Sequence, residues 1–153
     1  MADPLTPQQR SAHMARIGAK NTRPELFVRR LLHGFGYRYR LYRRDLPGRP
    51  DIAFPARRKV IYVHGCFWHQ HQSCTISHVP ATRSDYWAEK FARTRARDAR
   101  NISQLSSLGW EALVVWECEL AATAVLTHRL TSFLGPPSFA PGAATLAGSY
   151  YSH

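Results

Sequence analysis

The sequence predicts an α/β fold, a mixed sheet flanked by helices, and three observations carry that prediction. Two short apolar runs, Val60-Ile61-Tyr62-Val63 and Ala112-Leu113-Val114-Val115-Trp116, read as buried strands. Amphipathic helical patterns precede, separate and follow them. The chain has 153 residues, of which 44% are hydrophobic and 12% aromatic, enough to fill one core and too few for two independent domains.

The elements follow in chain order. Thr6-Pro7 opens a short basic helix over 6–17 that carries Met14 and ends at Gly18. Thr22-Arg23-Pro24-Glu25 has capping-box spacing and starts a second helix, with Leu26, Phe27, Leu31, Leu32 and Phe35 as its apolar face. Gly34 and Gly36 break it. Residues 37–41 alternate apolar and basic side chains as a half-exposed strand does, and 46–50 form a Pro- and Gly-rich turn. Asp51-Ile52-Ala53-Phe54 begins a strand that a turn at 55–58 returns into Val60–Val63. A long amphipathic helix spans 84–108, Gly109 stops it, the second buried strand follows, and a last helix covers about 121–133. From Leu130 onward no side chain is charged, and Gly, Pro and Ser take over. One domain over 1–134 with a flexible tail over 135–153 is the expected organisation.

Charge narrows the class of partner. Twenty-one Lys and Arg against ten Asp and Glu give a formal charge of +11, which calls for a polyanion. Eighteen of those cations are Arg, whose planar fork suits phosphate and base edges. No stretch approaches a spanning helix, and the first residues lack the order of a signal peptide, so a cytoplasmic protein with no membrane partner is expected. An ordinary basic surface is the bland alternative.

Chemistry concentrates in one segment. Four of the eight histidines and two of the three cysteines fall between His64 and His78. Cys66, His71 and Cys74 offer two thiolates and an imidazole, and Cys118, just past the last strand, can complete a tetrahedral zinc site with a structural role. Three buried free thiols are the competing reading, and they leave His71 without a purpose. Asp51, His64 and His69 remain at strand ends and on the adjoining loop. A carboxylate that holds a hard divalent ion beside an imidazole that moves protons is the equipment of a phosphodiesterase, with Glu25 as a further acid. Capping alone also explains Glu25, and a bond to the preceding turn would explain Asp51. Phe67 and Trp68 either pack on the metal loop or form a wedge for base stacks. Trp87, Lys90, Arg93, Arg97 and Arg100 recur at helical spacing as a phosphate-binding stripe or as a plain solvated face.

Five segments taken together resemble the very short patch repair (Vsr) endonucleases: residues 46–51 (LPGRPD), 64–69 (HGCFWH), 79–83 (VPATR), 86–90 (YWAEK) and 113–118 (LVVWEC). The similarity runs from the N-terminal helix to about Leu120. It implies a restriction-endonuclease-like core of the PD-(D/E)XK superfamily and a DNA mismatch endonuclease that nicks 5′ of the thymine in T·G pairs left by deamination of 5-methylcytosine. It also implies Asp51 and the backbone carbonyl of Val63 as magnesium ligands, His69 as general base or proton shuttle, and His64 and Glu25 as supporting groups. Cys66, His71, Cys74 and Cys118 are zinc ligands by the same resemblance. Phe67, Trp68 and Trp87 push between base pairs, and Met14 on a DNA-contacting N-terminal helix reaches the opposite groove. Lys90, Arg93 and Arg97, from the helical spacing above, are the further expected DNA-binding residues.

The implied partner is duplex DNA in the bacterial nucleoid, followed by a repair polymerase, a ligase and mismatch-repair proteins. A monomer suffices for one asymmetric mismatch. Two departures stand out: His71 and Cys74 are separated by two residues where the family has one, and Val63 replaces a hydroxyl residue. A nicking or restriction-type enzyme of other specificity is the first alternative. A non-catalytic zinc-stabilised DNA-binding module is the second, and nothing favours an RNA-directed protein.

Overall fold

Four strands in the order β1-β2-β3-β4 form one mixed sheet. The computed structural model describes residues 21–137. Its elements are α1 (Arg23–Gly34), β1 (Arg40–Leu41), β2 (Ile52–Phe54), β3 (Lys59–His64), α2 (Ser84–Ser107), β4 (Glu111–Trp116) and α3 (Thr123–Leu134). The expected helix over 6–17 with Met14, and most of the expected tail, lie outside the described residues.

The central pair is parallel, β3 against β4 from Lys59↔Glu111 to His64↔Trp116, whereas β1 and β2 add antiparallel strands on the other side of β3. A short 3-10 turn, Pro55–Arg57, returns β2 into β3, and Arg58 closes it in the left-handed region at φ 55°.

Strand parity sorts the core into two layers. Ile52, Phe54, Ile61, Val63 and Val115 face α1 and α3, where Val28, Leu32, Leu126, Leu130 and Leu134 cover them. Ala53, Val60 and Tyr62 face the opposite way, against Leu46, Leu105 of α2 and Trp110. Helices thus cover both faces, as the α/β reading requires. Arg57 and Lys59 tie α3 down by donating to the carbonyls of Leu134 and Phe133, which no residue within the helix can satisfy.

Three expectations change in detail. The alternation over 37–41 yields only a two-residue strand, although Tyr37 and Tyr39 do meet Phe54 edge-on as inward-facing residues. The strand over 111–116 is mostly half-buried rather than buried, since β4 is the edge of the sheet. On α1, Val28 and Leu32 are the fully buried apolar residues, with Phe27, Leu31 and Phe35 packed around them. Among the described residues, no helix is long and apolar enough to cross a membrane.

Candidate active site and metal centre

The same parity that builds the core aims the chemistry. His64 continues the series of Val60 and Tyr62, and Asp51 that of Ala53, so both fall on the α2 side of the sheet. Asp51 Oδ2 accepts the backbone N–H of Val63 at 2.8 Å, across the hairpin and not from the preceding turn. That turn approaches α2 closely. A Cβ on Gly48, at φ +74°, would lie 2.7 Å from the Asn101 amide nitrogen and 2.9 Å from the Tyr62 hydroxyl, so a side chain does not fit there.

Asp51 is half-buried, with protein around most of its carboxyl and the cavity on the open side. Burial raises its carboxyl to about 7, the Val63 amide opposes the rise, the charge of Glu25 adds to it and that of Arg29 offsets it. Asp51 shares a cavity wall with Glu25 and Val63, and its carboxylate is the hard oxygen donor that a divalent ion takes.

His64 and His69 stack with ring centroids 3.7 Å apart and planes 5° from parallel. Burial first, then the neighbouring His69, pushes His64 down to about 3, so its imidazole is neutral. Its Nδ1 is buried and has no hydrogen-bond partner among the described residues. His69 differs: its Nδ1 meets Asp98 Oδ2 at 2.6 Å. Burial works to raise Asp98, but the bond from His69 and the nearby His69, His64 and Arg97 prevail and hold the carboxyl below its usual range. Asp98 was absent from the sequence expectations. Its one signal is that it is the sole acid in an arginine-rich stretch, residues 93–100.

A cavity of about 840 Å³ opens over these groups. Glu25, Asp51, Val63, His64, His69 and Asp98 line it, and Arg49, Arg97 and Arg100 bring positive charge to the same space. Glu25 is 3% exposed and makes only half of the expected capping box. Its amide donates to Thr22 Oγ1 at 3.3 Å, while its Oε2 accepts from the amide of Asn21 rather than from that of Thr22.

The second cluster lies across the end of β3. The ligand atoms of Cys66, His71, Cys74 and Cys118 are all within 4.8 Å of one another. Cys66 Sγ and Cys118 Sγ stand 3.7 and 3.4 Å from His71 Nδ1. Thiolates bound at ~2.3 Å around a tetrahedral zinc are separated by about 3.8 Å, so the residues fit such an ion. Burial raises the Cys66 thiol to about 12, whereas backbone amides, that of Ile76 foremost, draw Cys74 down to about 7. Between His71 and Cys74 the chain turns at Ser73, which is left-handed at φ 56°. Trp116 separates the two clusters, stacked on His71 at 4.1 Å and edge-on to His64 at 5.2 Å.

The aromatic residues form one packed group. Phe67 meets Trp68, Trp87 and Phe91 edge-on, with centroids between 4.9 and 5.7 Å. Phe67 and Trp68 are half-buried, whereas Trp87 is 6% exposed and forms the floor beneath them, so it reaches a base stack only if that cover moves. The basic stripe of α2 divides. Arg97 and Arg100 line the cavity, Arg93 pairs with Glu89 at the surface, and Lys90 is half-buried.

Comparison with known proteins supplies the family. The sequence model described as DNA mismatch endonuclease Vsr matches residues 2–75. The type II nicking enzyme V.XorIIP of Xanthomonas oryzae is 52% identical over 136 residues, 89% of this chain and 99% of that protein. The type II nicking enzyme V.NmeAIP of Neisseria meningitidis is 40% identical over 130 residues, covering 85% and 92% of the two chains. The DNA mismatch endonuclease Vsr of Escherichia coli is 44% identical over 129 residues, 84% of this chain and 82% of its own. With a carboxylate, a histidine–aspartate pair and arginines around one cavity, and relatives matched along nearly their whole length, the chain belongs to the Vsr family of DNA mismatch endonucleases.

Proposed function

We propose that this endonuclease nicks the strand immediately 5′ of the thymine in T·G mismatches produced by deamination of 5-methylcytosine, by magnesium-dependent hydrolysis on a restriction-endonuclease-like core with a structural zinc. The observation that carries the reading is the convergence of Asp51 and the His69–Asp98 pair on one arginine-lined cavity next to Phe67 and Trp68.

Asp51 and the Val63 carbonyl are the groups that would hold magnesium, with Glu25 supporting its water, and the ion when bound polarises a phosphoryl oxygen and acidifies water. Asp98 accepts from His69 Nδ1, which leaves Nε2 of His69 to take the proton of the attacking water. His64, neutral and stacked on His69, fixes that ring and offers a polar edge to water or phosphate. Arg97 and Arg100 hold the backbone phosphates, with Lys90 and Arg93 further along α2. Phe67 and Trp68 enter the stack beside the wobble pair, where unstacking costs less than the few kcal/mol of a Watson–Crick step, and Trp87 supports them. Met14, outside the described residues, reaches the other groove. Cys66, His71, Cys74 and Cys118 hold the zinc that fixes the loop. Action as a monomer in the nucleoid, ahead of a polymerase and ligase, completes the proposal.

A second reading draws on the name of the 52% identical relative, a type II nicking enzyme: the same active site acting on a different mismatch or on an intact sequence. One assay separates them. End-labelled duplexes carrying T·G, C·G or T·A at one position, in several flanking contexts, are incubated with magnesium and resolved by strand. A single nick 5′ of the mismatched thymine, lost in Asp51→Ala while binding persists, is the expected result. Cutting of fully paired duplex would support the second reading, and binding without cutting in every context would refute both.

A further inference from the structure

Three donors converge on one oxygen of Glu25. Oε2 accepts from the Tyr42 hydroxyl at 2.6 Å, from Arg29 NH2 at 3.1 Å and from the backbone N–H of Asn21 at 3.2 Å. The Arg29 guanidinium also donates to the Tyr42 oxygen and lies over the Tyr42 ring at 5.4 Å. This is a nearly closed ion pair, with side-chain exposures of 11% and 3%. Such pairs are costly to bury and contribute little net stability compared with an apolar replacement, so stability alone does not account for one beside a cavity.

Tyr42 also reaches the other acid. Its backbone N–H donates to the Asp51 carbonyl at 3.3 Å, one step beyond the pairing of Leu41 with Ile52. Its φ is 51°, a left-handed conformation that a bulky aromatic residue adopts at a cost of about 1–3 kcal/mol. In that conformation one residue bonds the main chain at Asp51 and the side chain of Glu25 at once.

We infer that Tyr42, with Arg29, is a positioning residue of the active site: it brackets Asp51 and Glu25, occupies Glu25 Oε2, and leaves Oε1 to face the cavity. The inference rests on the proposed role of Glu25 beside Asp51. Neither Tyr42 nor Arg29 lines the cavity, so both act through the carboxylate. A carboxylate clamped through one oxygen presents the other in a fixed direction, which a metal-bound water or the ion itself requires.

The test is a double-mutant cycle between Tyr42→Phe and Glu25→Gln, read as single-turnover nicking of a T·G duplex, magnesium affinity by calorimetry without DNA, and melting temperature. Tyr42→Phe keeps the ring and loses the bond to Oε2. It is expected to lower kcat and magnesium affinity roughly ten- to hundredfold, leave KM for the duplex unchanged, and cause no further loss when Glu25 is already Gln. Wild-type kcat and magnesium affinity in Tyr42→Phe, or a loss repeated in full in the Glu25→Gln background, would overturn the inference. Should Tyr42→Phe fail to fold, Arg29→Lys enters the same cycle with the same criteria. A fully active Glu25→Gln enzyme would instead remove the assumed role of Glu25, which distinguishes that failure from this one.

Discussion

The two clusters on either side of Trp116 are assembled in opposite ways. The Cys/His group takes three of its four members from residues 66–74 and the fourth from the turn after β4. The cavity group takes Glu25 from α1, Asp51 from just before β2, His64 from the end of β3, His69 from the following loop and Asp98 from α2. A metal can gather a local group by itself, because ligand binding supplies folding energy directly. A dispersed group needs the sheet and both helix layers in place first. The contrast predicts that damage to the first cluster shows mainly in folding and damage to the second mainly in rate.

The largest expected effect tests the local cluster. Cys118→Ser should lower melting temperature and bound zinc together, by several kcal/mol of stability, with elemental analysis and thermal melts as the measurements. Full zinc content in that variant would remove Cys118 from the ligand set and weaken the contrast.

Asp51 gives the next effect, with the opposite sign for stability. Its folded value near 7 lies above the ordinary 3.8, so the folded state binds the proton more tightly. In the absence of divalent ions, stability from this group is fully present below about pH 4 and is lost as pH rises through 7. The loss is at most about 4 kcal/mol, less what water in the cavity screens. Asp51→Asn should abolish nicking and yet, at pH 8 with no magnesium added and zinc retained, unfold at a higher denaturant concentration than the wild type. An equal or lower midpoint would contradict the desolvation described for Asp51.

Asp98→Asn probes rate with little change in fold. Without the carboxylate, His69 Nδ1 loses the partner that sets its tautomer, and the nicking rate should fall roughly a hundredfold while DNA affinity and melting temperature hold. A wild-type rate would mean that His69 needs no orienting acid.

What could be read in the sequence follows the same division. Cys66, His71 and Cys74 are visible together because they are neighbours, Asp51 and His64 because each borders an apolar run that strand parity can aim, and His69 because it lies on the loop adjoining that strand end. Asp98 escaped notice because it lies 29 residues beyond its partner on a helix whose pattern advertises arginine. Tyr42 escaped because a tyrosine after alternating Tyr and Arg residues reads as more strand, and nothing local signals its left-handed φ. Helices and inner strands fall near their expected places, since burial periodicity dictates them. β1 is shorter than expected and β4, though in its expected place, is less buried, because a strand's neighbours are a property of the sheet and not of its own residues.

Trp116 carries a consequence for anyone who would transplant this chemistry. One indole face covers His71 of the Cys/His group while its edge abuts His64 and His69, so the partition between the two clusters is a single shared side chain. The cavity is therefore not a detachable module. A scaffold that receives the carboxylates and the histidine pair must receive the cysteine loop and its tryptophan as well, or the imidazoles will have no wall against which to keep their orientation.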